Sequence, residues 1–217
     1  SKGGITAWLV NEPSIPMISL NIAFKGGSTT DPQDKLGATY LMAGLLEEGA
    51  GDMDAAEFRR AAEELATSFS FDSSRERISI SAEFLTETTQ ASVALLKAAI
   101  TKPAFNDAAF ERTKAQVESI VSFAGHPYAD PYQGTPETVA GLTQQDMRDA
   151  HQRNMTKDRL FVGVVGDITA DELAVLLDEL FGDLPAVGAD FPSPIDFQAS
   201  GGTTVIDFDT PQSVALW

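Results

Sequence analysis

Chemistry in a folded chain needs groups that hold a metal, move a proton or attack a substrate, and this sequence is short of all three. It has no cysteine and only two histidines, His126 and His151. A catalytic zinc needs three protein ligands and an open position for water. The two histidines sit in neither an H-E-x-x-H nor an inverted H-x-x-E-H arrangement. His126 reads as part of a Pro-Tyr turn, and His151 as a residue on a solvated helix face. No G-x-S-x-G elbow is present, and nothing points to a Ser–His–Asp set. Gly26-Gly27-Ser28 and Gly201-Gly202 read as turns, since neither runs into a Lys-Ser or Lys-Thr that would cradle phosphate. The paired acids Glu47-Glu48 and Glu63-Glu64 could suggest acid–base work. Neighbours on a helix diverge by about 100°, however, so such pairs read as solvated surface. Tyr40 reads as a ring packed under a sheet with its hydroxyl near water.

The elements that would have to position these groups are legible. Ile18, Leu20, Ile22 and Phe24 alternate with Ser19, Asn21, Ala23 and Lys25, as in a half-buried strand that Gly26-Gly27 stops. Residues 37–51 predict a helix ending at Gly49, with Leu41, Leu45 and Leu46 on its buried face. Asp54 and Glu57 have capping-box spacing and open a helix through about Leu65. Phe69 and Phe71 lead into a turn at Asp72-Ser73-Ser74, and Ile78, Ile80, Ala82 and Phe84 alternate beyond it, which predicts a hairpin with one wet face. Helices follow over 88–100 and 107–121, with Pro103 between them. Another begins at Thr143, with Asp146 at its third position. Leu160–Val165 is a short apolar run that reads as an inner strand. Thr169 and Glu172 form a capping box ahead of an apolar stripe of Leu173, Leu176, Leu177, Leu180 and Phe181, closed by Gly182 and Pro185. Residues 185–202 read as a linker and 203–208 as a strand. Hairpins segregated from helices predict an α+β fold: a mostly antiparallel sheet with helices packed on one face.

Composition narrows the function classes. The chain's 217 residues are 43% hydrophobic and 22% charged, ordinary for a globular protein with a sizeable core. Its formal charge of −17 repels phosphate, which argues against nucleic acid and anionic membrane surfaces as partners. No apolar run is long enough to span a membrane. The absence of cysteine fits either the cytoplasm or the periplasm.

Three segments, in order, resemble a known family. Gly26-Gly27-Ser28-Thr-Thr-Asp31-Pro32, followed by Gly37, is similar to a strand exit before a metal-binding helix. His126-Pro127-Tyr128 with Pro131, Gly134, Thr135 and Glu137 is similar to an HPY…P…G-T-x-E segment. Asn154-Met-Thr156-Lys-Asp158, running into Val164-Val165-Gly166-Asp167, is similar to a Y-T-P-D-N…V-V-G-D strand. Together they resemble the insulinase-like or pitrilysin-type metallopeptidases, family M16, which implies the fold of mitochondrial-processing-peptidase-like metallohydrolases. Carried onto this chain, the family's inverted zinc motif places its first histidine on Tyr40, its glutamate base on Ala43 and its second histidine on Gly44. The third ligand, a glutamate, falls at or near Ile120; Glu118 is close but on another helix face. All four positions are substituted, and G-L-L-E-E-G-A-G stands where non-catalytic relatives commonly have such a run.

The resemblance therefore implies a non-catalytic member with no cofactor of its own, zinc being expected only on a partner subunit with H-x-x-E-H. Together the two would close around a peptide substrate. The alternative is a structural or assembly subunit of a larger complex with no role in proteolysis. Residues 1–185 are expected to form the M16-type domain and 186–217 a linker with a strand-like segment, the chain being cut before a second homologous domain. An Arg/Tyr substrate-binding pair would lie in that second domain, so no substrate-binding residue is assigned. A helical stretch usual before the HPY segment has no counterpart between Val121 and His126. Localisation is expected to be periplasmic, with the cytoplasm as the alternative.

Overall fold

The computed structural model describes residues 1–121 and 131–191. Its main sheet has five strands: β1 (Ala7–Asn11), β2 (Met17–Lys25), β5 (Ser68–Ser73), β6 (Arg77–Leu85) and β7 (Leu160–Gly166), in the spatial order β1-β7-β2-β6-β5. A short second hairpin, β3 (Gly49–Ala50) with β4 (Met53–Asp54), stands apart from it. All pairs in the main sheet are antiparallel except β1 with β7, which run parallel from Ala7↔Val162 to Asn11↔Gly166. The predicted mostly antiparallel sheet is thus present, and β7 is the inner strand its apolar run indicated. The predicted turn at 72–74 begins later, because β5 keeps pairing through Ser73 with Ile78.

The helices are α1 (Ala38–Leu45), α2 (Ala55–Glu64), α3 (Thr89–Thr101), α4 (Asp107–Val121), α5 (Pro136–Ala140), α6 (Gln144–Asn154) and α7 (Ala170–Phe181). Their starts follow the sequence signals. Asp54, Thr143 and Thr169 each accept a hydrogen bond from the third helical N–H and receive the reciprocal contact from Glu57, Asp146 and Glu172. One core gathers the inward residues of β2, β6 and β7 with those of α1, α3, α6 and α7. Leu20, Phe24, Phe84, Leu41, Leu96 and Phe181 are fully buried there. Each such side chain contributes roughly 1.5–3 kcal/mol relative to its exposed state.

The opposite face of the sheet is open among the described residues. Along β2 and β6 it is polar. Along β1 and β7 it carries Trp8, Val10, Phe161 and Val165, all exposed, with Trp8 stacked on Phe161 at 6.4 Å between ring centroids. The predicted strand at 203–208 and the end of the predicted linker lie outside the described residues.

Candidate functional site

The helix that carries Tyr40, Ala43 and Gly44 is fixed at its start by two crossing backbones. Gly37, at φ 95°, begins α1, and Gly134, at φ 97°, lies against it. A Cβ on Gly37 would come within 2.4 Å of the Gln133 carbonyl oxygen, and one on Gly134 within 2.5 Å of that of Leu36. Only glycine suits both the left-handed backbone and this approach. Just inside α1, the carboxylate of Asp31 accepts from the Thr39 N–H at 3.1 Å and from Thr39 Oγ1 at 2.6 Å. Arg153 approaches Asp31 at 3.4 Å, and Asn154 Nδ2 donates to Thr39 Oγ1 at 3.1 Å. Burial pushes the Asp31 carboxyl up, while Thr39 and Arg153 hold it back. The first turn of α1 is therefore tied to α6 through buried polar contacts.

That clamp sets the cavity beside it, about 290 Å³ in volume. Tyr40, Ala43 and Gly44 line it from α1; Phe71, Asp72 and Ser73 line it from β5, an edge strand of the sheet. Thr113, Gln116 and Val117 of α4 line its far side. Tyr40 meets Tyr132 edge-on at 5.6 Å between ring centroids. Position 120 is one turn further along α4, with its side chain outside the described residues. Glu47 and Glu48 stand at the rim, where Glu48 pairs with Arg112. Partial burial pushes the Glu47 carboxyl up; Glu48 and Asp72 add to this and Arg59 opposes it.

Residues 6–126 match the insulinase family, peptidase family M16, and residues 141–216 match the peptidase M16 inactive domain. The chain belongs to peptidase family M16. The M16 chains it is similar to include the non-peptidase homolog YmxG of Helicobacter pylori, 26% identical over 79% of this chain and 44% of that protein. Among solved structures, a peptidase M16 inactive domain from Pseudomonas fluorescens superposes with a TM-score of 0.80 at 19% identity, covering 90% of this chain and 52% of that one. Pitrilysin superposes with a TM-score of 0.73 at 18% identity, over 89% of this chain and 23% of its own length. The chain spans about half the length of the YmxG homolog and the Pseudomonas domain.

The zinc that the M16 resemblance implies does not fit the three residues on which that resemblance places its motif. Tyr40, Ala43 and Gly44 offer a phenol, a methyl group and a hydrogen, where zinc takes imidazole, thiolate or carboxylate. Among the described residues no cluster of three or more His, Cys, Asp or Glu could hold a metal.

One sequence expectation is corrected here. His151 is not on a solvated face. It packs edge-on against Phe105, and its Nε2 lies 2.7 Å from the Ile100 carbonyl oxygen. Helix α6 packs closely on the rest of the fold, so its polar-looking sequence conceals a buried side. Tyr40, half-buried, packs against the core from α1 and meets Tyr132 on the cavity wall, a partner separated by ninety-two positions in sequence and invisible to local pattern. Glu63 and Glu64 are exposed, as expected. His126 lies outside the described residues.

Sequence reasoning also missed Arg159. It is 1% exposed, and its guanidinium lies against the ring of Phe191 at 4.2 Å. No local signal marked it, since strand alternation would place it on the side of Phe161 and Val165, which are exposed.

Proposed function

We propose that this chain is the non-catalytic domain of an M16 subunit that pairs with a separate zinc peptidase subunit and helps enclose peptide. The carrying observation is a cavity lined by Tyr40, Ala43 and Gly44, the residues on which the M16 resemblance places its metal motif. Position 120, matched to the third ligand, holds isoleucine. Tyrosine, alanine, glycine and isoleucine supply none of the imidazole, thiolate or carboxylate donors that zinc takes. What they leave is space beside an edge strand.

Strand β5 pairs only with β6 among the described residues, and Phe71, Asp72 and Ser73 border the cavity. An extended peptide could add to that edge through backbone hydrogen bonds, which hold many sequences, while the cavity takes a side chain. The zinc would belong to the partner, which would supply the Lewis acid and activated water. The periplasm is the compartment we propose for the pair.

Pull-down from the native host tests this. The expected result is recovery of an H-x-x-E-H protein whose peptidase activity needs this chain, is lost with a chelator and returns with zinc. Zinc-dependent cleavage by the purified chain alone would overturn the reading. So would recovery of a complex without any such peptidase, which is the outcome the assembly-subunit alternative predicts.

A further inference from the structure

A second cavity, of about 340 Å³, lies away from the Tyr40 site, between the N-terminal halves of α3 and α7 where β2 begins and β7 ends. Ligand pockets begin at about 300 Å³. Its floor is apolar: Ile18, Val93, Ile168 and Leu176, each at most 5% exposed. Val175 stands at the rim, 69% exposed. The other groups at the rim include four carboxylates, Glu87, Asp167, Glu172 and Glu179, and no lysine or arginine.

Those carboxylates are not neutralised from within the described residues. The ion pairs among the described residues join Lys35 to Asp146, Lys97 to Asp183, Arg112 to Glu48 and Arg153 to Asp31, and none reaches the groove. Glu172 is engaged in the α7 capping box, accepting from Thr169 N and Oγ1. Glu87, Asp167 and Glu179 have no such partner among the described residues. Two helix N-termini add positive potential here, but each amounts to only about half a charge. The sum stays negative. Thr86 Oγ1 also lines this cavity region, buried and without a hydrogen-bond partner.

We propose that this groove docks a cationic amphipathic helix of a partner protein. The floor takes the helix's apolar residues, and the rim takes lysines or arginines whose stems lie along Val175. Glu172 and Glu179 are two turns apart on α7, so the rim can meet about 10 Å of helix. A second copy of this chain is the wrong occupant, because two molecules of charge −17 repel each other. The proposal goes beyond the M16 reading and does not rest on it.

The test uses the whole 217-residue chain and a fluorescein-labelled amphipathic peptide of leucine and arginine, followed by anisotropy. The double variant Glu87→Lys/Glu179→Lys should weaken binding by about tenfold or more, and the single variant Val175→Ser, which removes the apolar rim without adding charge, by about threefold. Glu63→Lys/Glu64→Lys, on the exposed side of α2, should change it by less than about twofold. All of these side chains are exposed, and circular dichroism checks that the variants fold. Four results would each overturn the proposal. They are no binding to the unmodified chain, equal weakening by the α2 variant, equal binding of a peptide with serine in place of leucine, and self-association abolished by the groove variants.

Discussion

At the scale of single residues, Gly44 and His151 carry the sharpest consequences. A Cβ on Gly44 would stand 3.5 Å from Thr113 Cγ2, an ordinary contact, and no left-handed backbone is needed there. The fold therefore does not require glycine at that position. Gly44→Ala is expected to raise stability by about 0.5–1 kcal/mol, read by urea unfolding, because alanine is the better helix former. His151 gives a signed pH dependence. Burial pushes its pKa below the ordinary 6.5, against the favourable Ile100 carbonyl. The folded state then holds fewer protons than the unfolded one across that window. The stability it contributes is complete above pH 6.5 and is lost as pH falls through the lower folded value. His151→Gln should flatten that part of the stability–pH curve, measured by thermal melts from pH 7.5 downward. The sequence revealed Gly44 as a residue unfit for metal or proton chemistry. It misplaced His151, because burial of one face of a polar helix depends on what packs across it.

At the scale of elements, capping signals and strand alternation were read almost to the residue. They are local: a side chain three positions away satisfies the helix end, and alternate residues share a face of a strand. Thr169→Ala should destabilise the protein by about 1 kcal/mol in the same denaturation assay, since it removes the Oγ1 that accepts from the Glu172 N–H and donates to Glu172 Oε2, although the residue 169 N–H keeps its bond to Glu172. The same substitution at Thr143 should act similarly, with Asp146 still held by the residue 143 N–H and by Lys35 at 3.1 Å. What local pattern could not supply was the company each element keeps. Residues 36–37 and 133–134 cross because two glycines permit it, and that crossing brings Tyr132 to Tyr40. The candidate cavity was thus half legible: its α1 wall was named in advance, whereas its β5 and α4 walls came from packing.

At the scale of the whole molecule, charge and exposed apolar surface pull in different directions. A net −17 on a chain of 217 residues favours dispersal of its own parts, so added salt should raise the melting temperature by screening self-repulsion. Thermal melts in sodium chloride and in an uncharged osmolyte would separate screening from surface exclusion, and equal effects would contradict the charge argument. The α+β class followed from the order of elements. The parallel β1–β7 pair did not, because nothing in Ala7–Asn11 announces a partner more than a hundred and fifty residues away.

That pairing also fixes an order of events during synthesis. Strands β2, β5 and β6 can zip together once Leu85 has left the ribosome, all their pairings being antiparallel. Strand β1 has no place in this sheet until Leu160–Gly166 emerges and settles beside β2. Closing so long a chain segment is slow, and contacts of this span come late in folding. Until then Leu9 lies uncovered between Trp8 and Val10, which stay exposed even in the sheet, an apolar lure that a chaperone, or another nascent chain, can meet before β7 does.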